Sequence, residues 1–283
     1  MSISQKVIYV TGGSTGIGLS IALELAKTNN TICLFARDLH KLEQAQALVS
    51  QAGSECHIYS VDAKDYSAVK RTMNTAVMAT GAPDILVNCV GRSIPHHFED
   101  ITGAMMEDTM RSNFSSTWNA VHTLLPHMKA NGGRIINTSS VGGFVGVFGY
   151  TDYSASKFAI IGFSEALKQE LGKYNIKVQV LCPPDTDTPG LELENRTKPE
   201  ETRRISESAK LMSPEAVAIQ TVRAMSGSSF MIIPGFDGKL AFWVKRFVPF
   251  VMDWILQSAI TKVQKKYTRT FRKTLKHPTL AQA

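Results

Sequence analysis

The sequence predicts an α/β protein: a doubly wound parallel sheet of about seven strands, helices on both faces, and an amphipathic helical extension at the C-terminus. Three observations carry that expectation. Short apolar runs alternate with segments of helical periodicity as far as Pro234, with no linker between them. Most of these runs are continuously apolar rather than alternating, as suits parallel strands covered on both sides. The first run leads through a glycine-rich turn straight into a helix, the arrangement by which open α/β sheets present a helix end to a ligand.

In chain order, the expected strands are 6–11, 31–36, 56–61, 84–88, 133–138, 176–181 and 229–233. The expected helices occupy about 17–28, 39–51, 66–79, 104–130, 152–173 and 214–225. Asp38 is placed to cap the second helix and Asp152 the fifth, and Ser213-Pro214-Glu215 reads as a cap and first turn. Right-handed crossovers would gather Gly12, Asn88, Ser139 and Pro183, all at carboxyl ends of strands, around one crevice. Residues 190–212 are polar and read as a lid. The expected division is one domain over 1–238 and an extension over 239–283.

Of the 283 residues, 43% are apolar, enough for a sizeable core. The four cysteines, Cys33, Cys56, Cys89 and Cys182, show neither CxxC nor His-linked spacing, so reduced buried thiols and no metal site are expected. The chain enters its first strand without a basic-then-apolar leader, so no signal peptide is expected. The net charge of +7 is unevenly placed. Residues 239–283 hold ten Lys/Arg against Asp253 alone, while the remainder holds 21 Lys/Arg and 23 acids. A core without a basic face and an unusually apolar tail argue against a nucleic-acid partner.

Two stretches carry chemistry. Gly12-Gly13-Ser14-Thr15-Gly16-Ile17-Gly18 follows the first strand in the spacing G-x-x-x-G-x-G. Its glycines would admit backbone N–H groups to a pyrophosphate, and the helix end favours negative charge; taken alone, it can also be a plain structural loop. Tyr153 and Lys157 stand at i and i+4, on one helix face. An ammonium beside a phenol favours the phenolate, which would lower the Tyr153 pKa from its usual value near 10. With the Ser139 hydroxyl 14 residues earlier, this is equipment for interconverting a carbonyl and an alcohol. The second strand ends in Ala36-Arg37, where a ribose 2′-hydroxyl would want an acid. The Arg37 guanidinium suits a 2′-phosphate instead, with Ser14 adding a hydroxyl. NADPH is therefore the expected cofactor; a surface arginine at a strand end is the alternative.

These residues, with Asn88 and Asn113, resemble the short-chain dehydrogenase/reductase family in order and approximate spacing over roughly residues 5–235. The resemblance implies a Rossmann-type fold. It implies that Gly12, Ser14, Thr15, Gly16, Ile17, Gly18, Arg37, Lys41, Asp62, Ala63, Asn88, Gly91, Tyr153, Lys157, Pro183, Thr186 and Thr188 hold the cofactor. Asp62 and Ala63 would flank adenine, and Thr186 and Thr188 would reach the nicotinamide carboxamide and phosphate. Tyr153 would protonate the substrate carbonyl oxygen and Ser139 would hold it. Lys157 would bind the nicotinamide ribose and depress the Tyr153 pKa, and Asn113 would anchor a water beside Lys157. Ser139 as a strand-end cap and Asn113 as a helix-interior hydrogen bonder are the alternatives. Two departures from the family pattern stand out. Asn88-Cys89-Val90-Gly91 replaces the commoner Asn-Asn-Ala-Gly, and Pro184 stiffens the turn where Gly usually follows Pro183.

Residues 183–202, the string Gly149-Tyr150-Thr151-Asp152-Tyr153-Ser154-Ala155-Ser156-Lys157-Phe158-Ala159-Ile160, and Ile205-Ser206-Glu207 resemble the family's 3-ketosphinganine-reducing branch. That branch reduces the ketone of a long-chain amino-ketone lipid with NADPH. Another lipid ketone (steroid, retinal or acylglycerone type) and a non-catalytic nucleotide-binding scaffold are the alternatives. Phe144, Val145, Val147 and Phe148 would line an acyl groove or else pack on the sheet. Asp185, Asp187, Glu192 or Glu194 would receive the substrate ammonium or else face solvent.

The tail mixes Leu240, Phe242, Trp243, Phe247, Phe250 and Trp254 with Lys245, Arg246 and Asp253, and Pro249 interrupts it. No apolar run approaches the roughly 20 residues that span a bilayer. Farther on, Ile260, Val263, Tyr267, Phe271 and Leu275 fall near one face, with basic residues around the rest. The tail thus reads as a pair of interfacial helices on an anionic membrane, placing the chain peripherally at a cytoplasmic membrane face. A cap on the domain or a homo-oligomer seam is the alternative.

Overall fold

The computed structural model describes residues 3–207 and 210–276, with side chains as far as Lys266 in the last helix. Seven strands make one parallel sheet: β1 (Val7–Thr11), β2 (Thr31–Ala36), β3 (Glu55–Ser60), β4 (Ile85–Asn88), β5 (Gly133–Thr138), β6 (Ile176–Leu181) and β7 (Met231–Ile232). Their order is β3-β2-β1-β4-β5-β6-β7, so the winding reverses between β1 and β4. A crevice opens at the carboxyl ends of the strands at such a reversal. Thr11 pairs with Asn88, and Asn88 with Asn137, across the middle of the sheet.

The helices are α1 (Gly16–Ala26), α2 (Leu39–Gln51), α3 (Tyr66–Thr80), α4 (Gly103–Met110), α5 (Ser116–Met128), α6 (Thr151–Leu171), α7 (Pro189–Thr197), α8 (Glu200–Ser206), α9 (Pro214–Met225), α10 (Phe236–Phe247) and α11 (Pro249–Lys276). The continuously apolar strands serve two cores. Ile8, Val10, Ile32 and Leu34 pack with Ile21, Leu25, Leu42 and Val217. Tyr9, Phe35, Leu86 and Ile135 pack with Met73, Val121, Leu124 and Leu167. Successive residues of β1 thus point into opposite cores, which is why period-2 alternation is missing from its sequence.

Side-chain caps fix five of the helix starts. Asp38, Asp65, Thr102, Thr188 and Ser213 each accept a bond from the backbone N–H three residues on. Asp152 is not the cap expected of it. The helix starts one residue earlier, and the Asp152 carboxylate accepts from the Tyr153 N–H at 2.8 Å and the Thr109 hydroxyl at 2.6 Å, tying α6 to α4. The single helix expected over 104–130 is α4 and α5 joined by a π-turn, Arg111–Ser115. The π-turn adds one residue inside the run that reads as a single helix.

The segment expected as a polar lid contains α7 and α8. It returns to the end of β6, where the Met212 N–H donates to the Asp185 carbonyl at 3.1 Å and the Asp187 N–H to the Met212 carbonyl at 2.9 Å. The boundary expected after residue 238 falls inside α10. The two tail helices meet at Val248, before Pro249. Met252, Ile260 and Val263 are buried, and α11 packs along α8 and α10, so part of the tail caps the domain. Tyr267, Phe271 and Leu275 lie outside the residues with described side chains. Among the described residues, no helix is long and apolar enough to cross a membrane.

Candidate active site

A cavity of about 430 Å³ lies at the carboxyl ends of β1, β2, β4, β5 and β6. The turn after β1 forms one wall. Gly12 has φ +68°, and a Cβ there would stand 2.8 Å from the Cys89 carbonyl carbon; a Cβ on Gly18 would stand 2.3 Å from the Gly12 oxygen. Only glycine lets the turn, α1 and the β4 loop approach this closely. Thr15 makes no side-chain cap to α1, so no hydroxyl competes from that position with an anion at the first-turn amides. Ser14, Thr15, Gly16 and Ile17 line the wall, and Arg37, Lys41, Asp62 and Ala63 line the outer end of the cavity. This is a cradle for a dinucleotide phosphate with cationic side chains at one end.

The inner end holds the reactive side chains. Tyr153, on the first turn of α6, and Lys157, one turn later, both line the cavity. The Lys157 ammonium lies 5.7 Å from the Tyr153 ring centroid and donates to the Thr138 carbonyl at 3.0 Å. Burial pushes the Lys157 pKa down to about 8. The expectation that Lys157 depresses the Tyr153 pKa is not met. Burial raises it above the ordinary phenol value, the Ser140 hydrogen bond opposes the rise, and the charges of Glu194 and Asp185 add to it. A phenol so placed is held protonated.

Ser139 does not face Tyr153. Its hydroxyl is buried and donates to the Lys157 backbone carbonyl at 2.8 Å, fastening β5 to α6. The hydroxyl bonded to the Tyr153 phenol belongs to Ser140, which also accepts from the Gly142 N–H at 3.1 Å. Both serines line the cavity, but successive residues leaving a strand point opposite ways, so the Ser139-Ser140 pair hid which hydroxyl reaches Tyr153.

Asn88 also departs from expectation. Its amide donates to Asn137 at 2.9 Å and accepts from the Thr11 hydroxyl at 3.1 Å, and Asn137 donates on to Ser164. This chain of bonds lies beneath the cavity, and Asn88 does not line it. Asn113 sits in the π-turn, wholly buried. It accepts from the Arg92 N–H at 2.8 Å and donates to the Arg92 carbonyl and the Ser156 hydroxyl. Both of its amide hydrogens are donated within the protein, and the side chain holds the loop after β4, where Gly91 fits between the Lys157 ammonium and Asn113.

Pro183, Asp185, Thr186 and Thr188 line the cavity as expected. The Thr188 hydroxyl also caps α7, and that of Thr186 donates to the Pro184 carbonyl at 2.8 Å. The acyl-groove residues do not line it. Val145 is buried, Phe144 meets Phe242 of α10 edge-on at 5.4 Å, and Phe148 meets His97 edge-on at 5.5 Å. The wall facing Tyr153 is instead built by Leu191 and Glu194 of α7, which reach the cavity because Thr188 starts the helix beside it.

Comparison with known proteins agrees with this geometry. The profile of the short chain dehydrogenase family matches residues 6–199. The chain belongs to the short-chain dehydrogenase family. Among its curated relatives, the 3-dehydrosphinganine reductase of Danio rerio is 43% identical over 82% of this chain and 71% of its own length. The 3-ketodihydrosphingosine reductase of Bos taurus is 41% identical over the same shares. Among solved structures, L-sorbose reductase from Gluconobacter frateurii, complexed with NADPH and L-sorbose, is 27% identical with a TM-score of 0.74, over 82% of this chain and 96% of that one. A short chain dehydrogenase from Mycobacterium paratuberculosis bound to NAD shares the fold, with a TM-score of 0.73 at 24% identity over 83% and 97%. Membership of the family supports a nicotinamide cofactor for this chain.

Proposed function

We propose that the chain is an NADPH-dependent reductase that converts 3-ketosphinganine to sphinganine. The observation that carries the reading is the placement of a protonated Tyr153, bonded to Ser140 and flanked by Lys157, at the inner end of a dinucleotide cradle, in a chain about 40% identical to proteins named for that reaction. The cofactor, when bound, supplies the hydride. Tyr153 gives its phenolic proton to the carbonyl oxygen, and the Ser140 hydroxyl holds that oxygen in line. Lys157, anchored on the Thr138 carbonyl, binds the cofactor's ribose. Asn113 and Gly91 hold the loop that keeps Lys157 in place.

The preference for NADPH rests on the cationic outer end. Ala36 offers no acid, the Asp38 carboxylate accepts from the Lys41 N–H at 3.1 Å, and the Arg37 guanidinium lines the cavity. The same reading places the protein peripherally on an anionic, cytoplasmic membrane face. Phe236, Trp243, Phe247, Phe250 and Trp254 are each more than half exposed on α10 and α11, among Lys239, Lys245, Arg246 and Lys262. Phe242, beside them, touches Phe144 next to the catalytic turn, so a lipid leaving such a surface would start close to the cavity.

The test is cofactor oxidation with 3-ketosphinganine in mixed micelles, with NADPH and NADH in parallel. Turnover selective for NADPH supports the reading. Binding of NADPH without turnover of this ketone overturns it and directs the search to other lipid ketones.

A further inference from the structure

Asp185 and Glu194, which line the cavity, form with Tyr150 and Lys198 a cluster that the chemical step does not use. The Tyr150 hydroxyl donates to the Glu194 carboxylate at 2.5 Å. The Lys198 ammonium, only 3% exposed, pairs with the same carboxylate at 2.9 Å and lies 4.0 Å from that of Asp185. Glu194 is 14% exposed and Asp185 39%. Two carboxylates against one buried ammonium leave one negative charge, and Asp185, the more open of the two, presents it to the cavity. The Tyr150 and Tyr153 rings are 5.5 Å apart, so the cluster adjoins the acid. Both carboxylates are close enough for their charge to be felt at the Tyr153 phenol.

We infer that Asp185, with Glu194, Lys198 and Tyr150 fixed behind it, is the seat for a substrate ammonium next to the reacting ketone. The inference rests on the reductase reading above and specifies how the amino ketone is chosen. In a 2-amino-3-ketone the nitrogen is bonded to the carbon beside the carbonyl. A carbonyl oxygen at Tyr153 and Ser140 therefore brings the ammonium to the wall that carries the spare charge. The cations that line the cavity lie at its outer end, as Arg37 and Lys41 do, or have partners of their own: Lys157 the Thr138 carbonyl, and Lys64 and Arg92 the Asp108 carboxylate. Lys198 and Tyr150 are positioning residues, since both hold the Glu194 carboxylate. A cavity closed around a charge-assisted pair discriminates strongly, since a substrate lacking the partner leaves the carboxylate unanswered.

The test compares a long-chain 2-amino-3-ketone with its deaminated analogue, each saturated with NADPH, on the full chain. The wild type should favour the amino ketone in kcat/KM by about ten- to a hundredfold. Asp185→Asn should collapse that preference, chiefly through KM for the amino ketone, and Asp185→Glu should recover part of it. NADPH binding monitored by fluorescence reports that the variants are folded. A wild type that reduces both ketones equally, or an Asp185→Asn variant that keeps the preference, overturns the ammonium seat while the reductase reading stands. A wild type that reduces neither ketone overturns both.

Discussion

The Lys157 ammonium donates to the Thr138 carbonyl at 3.0 Å, with the residue 4% exposed. Burial lowers its pKa from 10.5 to about 8. The unfolded chain therefore holds more protons than the folded one between about pH 8 and 10.5, and stability attributable to this group rises with pH across that window. Below it, the buried charge costs its full amount, about 3 kcal/mol at 1.36 kcal/mol per unit. Lys157→Met should abolish turnover yet raise the urea midpoint at pH 7, with the gap to wild type closing by pH 10. Equal midpoints at pH 7 would contradict the burial cost.

Ser139 and Ser140 should separate cleanly. Ser140→Ala removes the hydroxyl bonded to Tyr153 and should lower kcat by about a hundredfold or more while NADPH still binds. Ser139→Ala strips a buried bond between β5 and α6 and should cost about 1–3 kcal/mol of stability. Paired steady-state assays and denaturation curves check both. A larger kcat loss in Ser139→Ala would reverse the assignment.

Asn88 bridges β1 and β5 from β4 through Thr11 and Asn137. Asn88→Ala should lower the denaturant midpoint by an amount equivalent to about 2 kcal/mol or more, because it orphans partners in a buried network. The NADPH dissociation constant of the folded variant, measured by fluorescence titration, should stay within about twofold of wild type, since the residue does not line the cavity.

How far these features were legible follows from what a sequence encodes. Six of the seven strands lie within a residue or so of their expected bounds, because continuous apolar runs mark buried parallel strands directly; β7 is shorter than its run. The glycine turn and the Tyr153/Lys157 pair were legible because their spacing is itself the geometry. Ser140 was not, since adjacent hydroxyls differ only in the direction they leave a strand. The positions of Asn88 and Asn113 are legible and their tasks are not, because three-dimensional partners such as Asn137 and Arg92 bind their amides. The Tyr150–Glu194–Lys198 cluster joins α6 to α7 across 44 residues, which no local pattern signals.

Arg37 should govern cofactor choice. Arg37→Ala should raise KM for NADPH about ten- to a hundredfold and leave KM for NADH nearly unchanged, through loss of a charge-assisted contact to the 2′-phosphate. Initial rates with both cofactors check this. A parallel rise for NADH would show that the side chain supports the fold of the cradle instead.

The exposed aromatics of α10 and α11 should bind a bilayer. Co-sedimentation with vesicles rich in anionic phospholipid should be strong at low salt and fall at high salt. Trp243→Ser combined with Trp254→Ser should reduce it about tenfold or more, because both rings are more than half exposed. Binding unaffected by the double substitution would assign membrane contact to another part of the chain.

The π-turn at Arg111–Ser115 carries one residue more per turn than the helices it joins. That extra residue rotates everything downstream by about 100° relative to an unbroken helix. The faces of α4 and α5 therefore do not share one helical wheel. Removing a single residue here would straighten the rod and swing Ala120, Val121 and Leu124 out of the core they now fill. Length in this stretch is thus held more tightly than composition: a point substitution alters one contact, while a one-codon deletion re-indexes a whole helix.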